Sequence, residues 1–304
     1  MNNILFKGIV IDPSEFLMPK IRVSPLDQSD LITPVEEVNA VNLAAYKEFY
    51  GKHLYLGVKA RQLIEYSLSL CNLKPEDVVT VLTTSGNLYV SNCITREVEK
   101  YCKWSRLLSE KTKAIIVNHE FGYAYPNVAE LRKYNVPIIE DCAQSFFTEA
   151  NGIGHYGDFS IYSLPKAFPM QIGAVLASKK PLDFKIEKAK QDYINSRLAK
   201  YLPEAEAIKA KRLDNYTYLK DNLSQMGIEP FFELPSKTYP GVFLFKWLEC
   251  INYQTLKDFL TSNGIECSVF YGKNALFMPL HHNLKKSELD YMIKLLQYFY
   301  KNMI

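Results

Sequence analysis

The sequence predicts an α/β protein with a mostly parallel sheet, followed by a smaller α+β C-terminal domain. Three observations predict it. Segments 112–117 (TKAIIV) and 136–140 (VPIIE) are apolar at successive positions rather than alternate ones, as strands buried on both faces are. Such segments alternate with stretches of helical periodicity, the pattern of strand–helix–strand units in a parallel sheet. After Pro181 the texture changes to a long lysine- and glutamate-rich helical tract, then to short alternating strands and helices. A chain of 304 residues can bury a large core and divide into two domains. The expected division is 1–182 and 183–304.

The elements follow in order. Residues 4–10 read as a strand. Residues 34–50 read as a helix, with Thr33 as its cap before Pro34 in the first turn. In 59–72 Leu63, Ile64, Ser67, Leu68 and Cys71 share one side at helical spacing. After a turn at 73–76, residues 77–82 form a strand, then 112–117. A short helix at 127–133 leads to the strand at 136–140, and 159–163 and 173–177 give two more strands. Within 183–226 Pro203 starts a fresh helix and Gly227 stops it. The remainder reads as strand 241–247, helix 254–262, strand 266–270 and a final helix 286–300. There is no internal repeat and no low-complexity tract.

Composition excludes several classes. Lysine and arginine total 36 against 33 acidic residues, a net charge of +3, so no clustered basic footprint for nucleic acid is expected. No apolar run reaches the roughly 18 residues of a membrane span. The opening MNNILFKGIVIDPSEF does not read as a signal peptide, because Asp12 and Pro13 break its apolar run. Six cysteines lie at 71, 93, 102, 142, 250 and 267 without a C-x-x-C pair. That argues against a metal site or a disulfide framework, and a reducing cytoplasm fits. The 21 tyrosines and 17 phenylalanines are mostly core.

Two residues carry the chemistry. Asp141 stands at the end of a buried strand, in VPIIEDCAQS, and Lys166 lies just past a later one, in GDFSIYSLPKAF. A pyridoxal phosphate enzyme needs this pair. The lysine joins the cofactor's aldehyde and afterwards moves a proton, and the carboxylate holds the ring nitrogen protonated so that the ring accepts electrons. Arginine could not replace the lysine, because it stays protonated. An open α/β sheet presents such groups at the carboxyl ends of its strands. Without their context the two residues would read as a helix-capping aspartate and a surface lysine.

That context resembles the DegT-type (DegT/DnrJ/StrS-like) sugar aminotransferases, which share the aspartate-aminotransferase-like fold of pyridoxal phosphate enzymes (fold type I). The resemblance covers 55–178 well and the rest loosely. The family's strand-end E-D-x-A-Q stands here as Glu140, Asp141, Cys142, Ala143 and Gln144, and its S-L-x-K as Ser163, Leu164, Pro165 and Lys166. The resemblance implies a three-layer transferase fold whose large domain binds pyridoxal 5'-phosphate. It places Gln144 near the cofactor's phenolic oxygen. The phosphate would sit at a helix start, where free N–H groups and the helix dipole favour an anion. Here the family's S-G-T or S-G-R string is replaced by Lys59, Ala60, Arg61 and Gln62. This departure leaves the backbone amides of Ala60 and Arg61 as donors, with the hydroxyl of Ser163, or of its rival Ser160, as a further one. Tyr89 is either the ring that stacks on the cofactor or a core tyrosine. His119 matches a family histidine and reads as structural, shaping its loop. The pair His281 and His282 lacks metal-ligand context and reads as surface or as substrate mouth. No serine nucleophile elbow, P-loop or G-x-G-x-x-G is present.

The function so implied is transfer of an amino group from an amino acid, glutamate by resemblance, to a keto-sugar, nucleotide-linked, in surface glycan synthesis. Family sites form at a dimer interface, so a homodimer is implied. Two departures, the short chain and FPMQIGAVL where relatives are glycine-rich, imply trimmed substrate loops. The alternatives are a pyridoxal phosphate enzyme for another small keto or amino substrate, and a non-catalytic binding protein of the same fold.

Overall fold

The computed structural model describes residues 20–248 and 251–303; the expected strand at 4–10 lies outside them. The chain divides into two units. The first comprises 26–207 and 235–240, and the second comprises 208–234 and 241–304 together with the chain up to Pro25. The change therefore falls at 207/208 rather than at the expected 182/183.

A seven-stranded sheet organises the first unit. Its strands are β1 (His53–Gly57), β2 (Val78–Thr83), β3 (Lys103–Ser105), β4 (Thr112–Asn118), β5 (Ile138–Asp141), β6 (Phe159–Ser163) and β7 (Ala174–Ser178). Their order is β1-β7-β6-β5-β4-β2-β3, parallel from β3 to β6, with β7 antiparallel to both its neighbours. This is the mostly parallel α/β sheet expected. Both faces are covered, and successive residues of β4 show it. Ile116 packs with Leu63, Ile64 and Leu68 of α2 (Ala60–Ser69) and with Ile94 and Val98 of α3 (Asn92–Val98). Ile115 and Val117 turn to the other face, against Val128, Leu131 and Ile138. Each fully buried leucine or isoleucine contributes about 1.5–3 kcal/mol.

Three expectations differ from the structure. Residues 34–50 are not a helix; only Leu43–Ala45 forms a 3₁₀ turn. After the single turn α1 (Gln28–Leu31), this segment is a strap tied to α4 (Lys188–Tyr201). The buried Arg197 guanidinium donates to the carbonyls of Thr33 (2.6 Å), Asp30 (3.3 Å) and Pro34 (3.3 Å). Tyr201 Oη donates to Asp30 (2.6 Å), and the Glu36 N–H donates to Ser196 (3.0 Å). Tertiary hydrogen bonds thus take backbone groups that a helix would have used, and the Pro34 start signal is overridden. The short helix expected at 127–133 is a 3₁₀ segment, Val128–Tyr134, bracketed by Asn127 and Asn135 in the left-handed region. The strand expected at 266–270 shrinks to β10 (Ser268–Val269), because the Glu266 N–H donates instead to Ile21 O (2.9 Å).

The second unit holds an antiparallel four-stranded sheet, β10-β11-β9-β8, with β8 (Ile228–Pro230), β9 (Val242–Trp247) and β11 (Leu276–Pro279). Helices α5 (Ala205–Leu223), α6 (Tyr253–Ser262) and α7 (Lys286–Met303) accompany it. Pro203 lies in the 3₁₀ turn before α5, and Gly227, at φ 68°, ends the helical tract in the left-handed region where glycine is cheapest. Phe243, Phe245, Leu256, Leu260, Met292 and Leu296 form the centre of its core. This is the small α+β domain expected, with its start moved to 208.

Candidate active site

The carboxyl ends of the parallel strands meet at one edge of the large sheet. Thr83 of β2 pairs with Asn118 of β4, and Asn118 with Asp141 of β5, so these three ends are level. Ser163 of β6 and Gly57 of β1 are both paired with Ala174, which brings the start of α2 to the same edge as the Lys166 turn. Two backbone bonds tie that corner: Leu164 N–H to Gly173 O (3.1 Å) and Gly173 N–H to Val58 O (2.9 Å).

Asp141 is buried, 8 % exposed. Its Oδ1 accepts the Ala143 N–H (3.0 Å), and Oδ2 accepts none from the described residues. Burial pushes the carboxyl up, opposed by the charge of Lys166 and by the Ala143 N–H. The aspartate and the lysine are therefore electrostatic neighbours. Lys166 closes the 3₁₀ turn Leu164–Lys166 and is exposed at the edge.

At the start of α2 the Gln62 and Leu63 N–H groups bond to Lys59 O, and no side chain caps the helix. The Ala60 and Arg61 amides are left without a partner among the described residues. The Arg61 guanidinium turns sideways onto α3, with Cys93 Sγ at 3.1 Å and Glu97 Oε1 at 3.6 Å. Arg61 thus offers this edge its backbone. Burial raises the Cys93 thiol, but Arg61, the Ser91 cap and the charge of Lys166 outweigh it and hold the thiol below its ordinary value. Sequence reasoning passed over both Cys93 and α3. The Ser91 cap and the i, i+4 pair Ile94 and Val98 could have found the helix.

Alternation along β6 decides between the two serines. Ile161, two residues before Ser163, packs with the α2 face. Ser160 faces the other way, where its hydroxyl donates to Gly154 O (2.9 Å) and accepts from Lys52 Nζ (2.7 Å). Ser160 is thereby occupied, and Ser163 lies on the side of α2. Tyr89 is 50 % exposed in the segment between β2 and α3, which excludes the core reading. Gln144 is half-buried in the turn after Asp141, closed by Ser145 N–H to Cys142 O (2.8 Å).

Behind this edge lies a buried network. The Tyr125 N–H donates to His119 Nδ1 (2.9 Å), so Nε2 carries the proton and donates to Glu140 Oε2 (3.0 Å). Burial raises the Glu140 carboxyl, but hydrogen bonds from His119 and Gly157 and the charge of Lys52 outweigh it and hold the group below its usual range. His281 and His282 belong to the second unit. His281 is buried and His282 half-buried rather than on the surface, and burial pushes His281 down to about 4 and His282 to about 3, with Arg212 contributing.

These residues fit pyridoxal phosphate. A buried carboxylate with one unbonded oxygen suits a protonated ring nitrogen, two unpartnered amides at a helix start suit a phosphate, and an amine stands beside them. Among the described residues no helix is long and apolar enough to cross a membrane.

Comparison with known proteins agrees with this chemistry. No curated protein matches the sequence. Solved structures match with probability 1.00. The aminotransferase TlmJ from Streptoalloteichus hindustanus has a TM-score of 0.69 at 16 % identity, over 86 % of this chain and 90 % of that one. A DegT DnrJ EryC1 StrS aminotransferase from Brucella abortus has a TM-score of 0.66 at 16 % identity, over 85 % and 88 %. The PMP-form of a "putative sugar aminotransferase", Spr1654 from Streptococcus pneumoniae, has a TM-score of 0.66 at 14 % identity, over 85 % and 88 %. At these identities the likeness establishes the fold. A family model described as "Putative PLP-dependent aminotransferase" matches residues 51–222, more than half of the chain. The chain belongs to this family of aminotransferases, whose cofactor is pyridoxal phosphate (PLP).

Proposed function

We propose that the protein transfers an amino group from an amino acid, glutamate, to the keto group of a nucleotide-linked sugar, in the synthesis of surface glycans, and that it works as a homodimer. The observation that carries the site assignment is that Asp141, at the end of β5, and Lys166, in the turn after the adjacent parallel strand β6, share the carboxyl edge of the sheet. The sugar acceptor is supported by the E-D-x-A-Q string at Glu140–Gln144 and by the fold shared with the S. pneumoniae protein.

The following roles are part of this reading. PLP supplies an electron sink for the carbon that loses a proton. Lys166 Nζ would take that proton from the substrate carbon and deliver it to the cofactor. Asp141 Oδ2 would accept a hydrogen bond from the ring N–H and so keep the ring nitrogen protonated. The Ala60 and Arg61 amides and the Ser163 hydroxyl would hold the phosphate, Gln144 would lie near the phenolic oxygen, and Tyr89 would stack on the ring.

The test is a panel of keto-sugar nucleotides with glutamate as donor, followed by mass spectrometry of the products. Amination of at least one sugar nucleotide is expected. Turnover of simple keto acids alone would replace the sugar with a smaller substrate. PLP binding without turnover of any acceptor would make the protein a non-catalytic binder.

A further inference from the structure

Glu140 precedes Asp141 on β5, and the site as described gives it no task. Strand alternation sends the two side chains to opposite faces of the sheet. Glu140 is fully buried, and its bonds account for both oxygens. Oε2 accepts from His119 Nε2 (3.0 Å) and from the Gly154 N–H (2.8 Å), and Oε1 accepts from the Gly157 N–H. The loop is shaped for this. A Cβ on Gly157 would stand 2.9 Å from Glu140 Cγ and 2.6 Å from the Phe159 carbonyl, so only glycine lets the amide approach. Lys52 Nζ stands behind the loop, on Gly154 O (2.6 Å) and Ser160 Oγ (2.7 Å). His119 also grips the neighbouring residue, since its backbone N–H donates to Asp141 O (3.1 Å). Three groups within 4.8 Å of one another, His119, Glu140 and Cys142, have metal-ligand chemistry. However, His119 and Glu140 spend their atoms on hydrogen bonds, and burial pushes the Cys142 thiol far up, so a hydrogen-bond network is the better description.

We propose that Glu140 and His119 are positioning residues: their buried bond fixes the end of β5 so that the Asp141 carboxylate meets the cofactor ring at a set height and direction. This rests on the reading of Asp141 as the partner of the ring nitrogen. All three hydrogen-bond partners of Glu140 are donors. A glutamine at 140 would turn its NH₂ toward an N–H, and His119 cannot reverse its tautomer, because Nδ1 faces the Tyr125 N–H. Lys52, Lys179, Cys142, Tyr162 and Tyr50 are the other titratable groups around Glu140.

The test compares wild type with Glu140→Gln, His119→Gln and His119→Phe, using Asp141→Asn as reference. The glutamine at 119 keeps an N–H for Glu140; the phenylalanine keeps only the bulk. The readouts are the pH midpoint of the visible absorbance band of bound PLP, and PLP affinity by fluorescence. Glu140→Gln and His119→Phe are expected to move the midpoint in the direction of Asp141→Asn by about 1 pH unit, a factor of about ten in the equilibrium. Both should weaken PLP about tenfold, whereas His119→Gln stays near wild type. If Glu140→Gln does not fold, the His119 pair decides. Wild-type midpoints in loaded Glu140→Gln and His119→Phe, or equal behaviour of the two His119 variants, would overturn the proposal even if melting temperatures fall. A wild type that binds no PLP would instead overturn the site reading beneath it.

Discussion

Lys52 provides a prediction whose size follows from the structure. The side chain is 8 % exposed and its ammonium is held by one carbonyl and one hydroxyl. Burial pulls it down from 10.5 to about 8, with Glu140 and Cys142 opposing. Between about pH 8 and 10.5 the unfolded chain binds this proton and the folded one does not, so stability contributed by this site rises with pH across that window. At about 1.36 kcal/mol per pH unit, the full rise across that window is about 3 kcal/mol. Lys52→Met keeps most of the volume and removes the titration. Tyr162 and Cys142, both pushed up by burial, act in the opposite sense at high pH, so the difference between the two profiles is the useful quantity. Urea unfolding of cofactor-free protein from pH 7 to 10.5 should give a wild-type-minus-variant difference that grows by about 3 kcal/mol, starting near pH 8. Parallel profiles would mean that Lys52 titrates normally and that the account of its burial is wrong.

Further outcomes are expected. Asp141→Asn keeps the shape and the Ala143 bond but removes the charge, so turnover should fall about a hundredfold, roughly 3 kcal/mol of transition-state stabilisation; an unchanged rate would assign ring protonation to another group. Gly157→Ala forces a Cβ to within 2.6 Å of the Phe159 carbonyl, and chemical denaturation should show a loss of about 2 kcal/mol; a neutral effect would mean that the loop yields. If the protein works as the proposed homodimer, light scattering at micromolar concentration should give about twice the chain mass of 35.0 kDa, and a fully active monomer would refute the dimer.

The sheet's inner strands were legible because each is a short apolar run that packs on both faces, as Ile115 and Ile116 do. Asp141 and Lys166 could be singled out as candidates because each stands in a short local string beside a buried strand, and the structure brings both to the same edge of the sheet. What failed depended on partners far away in the chain. The strap at 34–50 looks helical until Arg197, more than 160 residues later, takes its carbonyls. The Arg61 side chain is turned onto α3 by Cys93 and Glu97, more than 30 residues further along the chain, so nothing local announces its direction. Nothing near Lys52 announces a buried ammonium, because its partners Gly154 and Ser160 lie over 100 residues downstream. His119 read as a loop-shaping residue, and its bond to Glu140 needed the register of β4 against β5.

The central claim is that Lys166 bears the cofactor in a site completed by Asp141. Borohydride reduction of the purified protein, followed by proteolysis and mass spectrometry, tests it most directly. A pyridoxyl adduct is expected on Lys166, and none after Lys166→Ala. An adduct on Lys52, Lys59 or any other lysine of the wild type would contradict it.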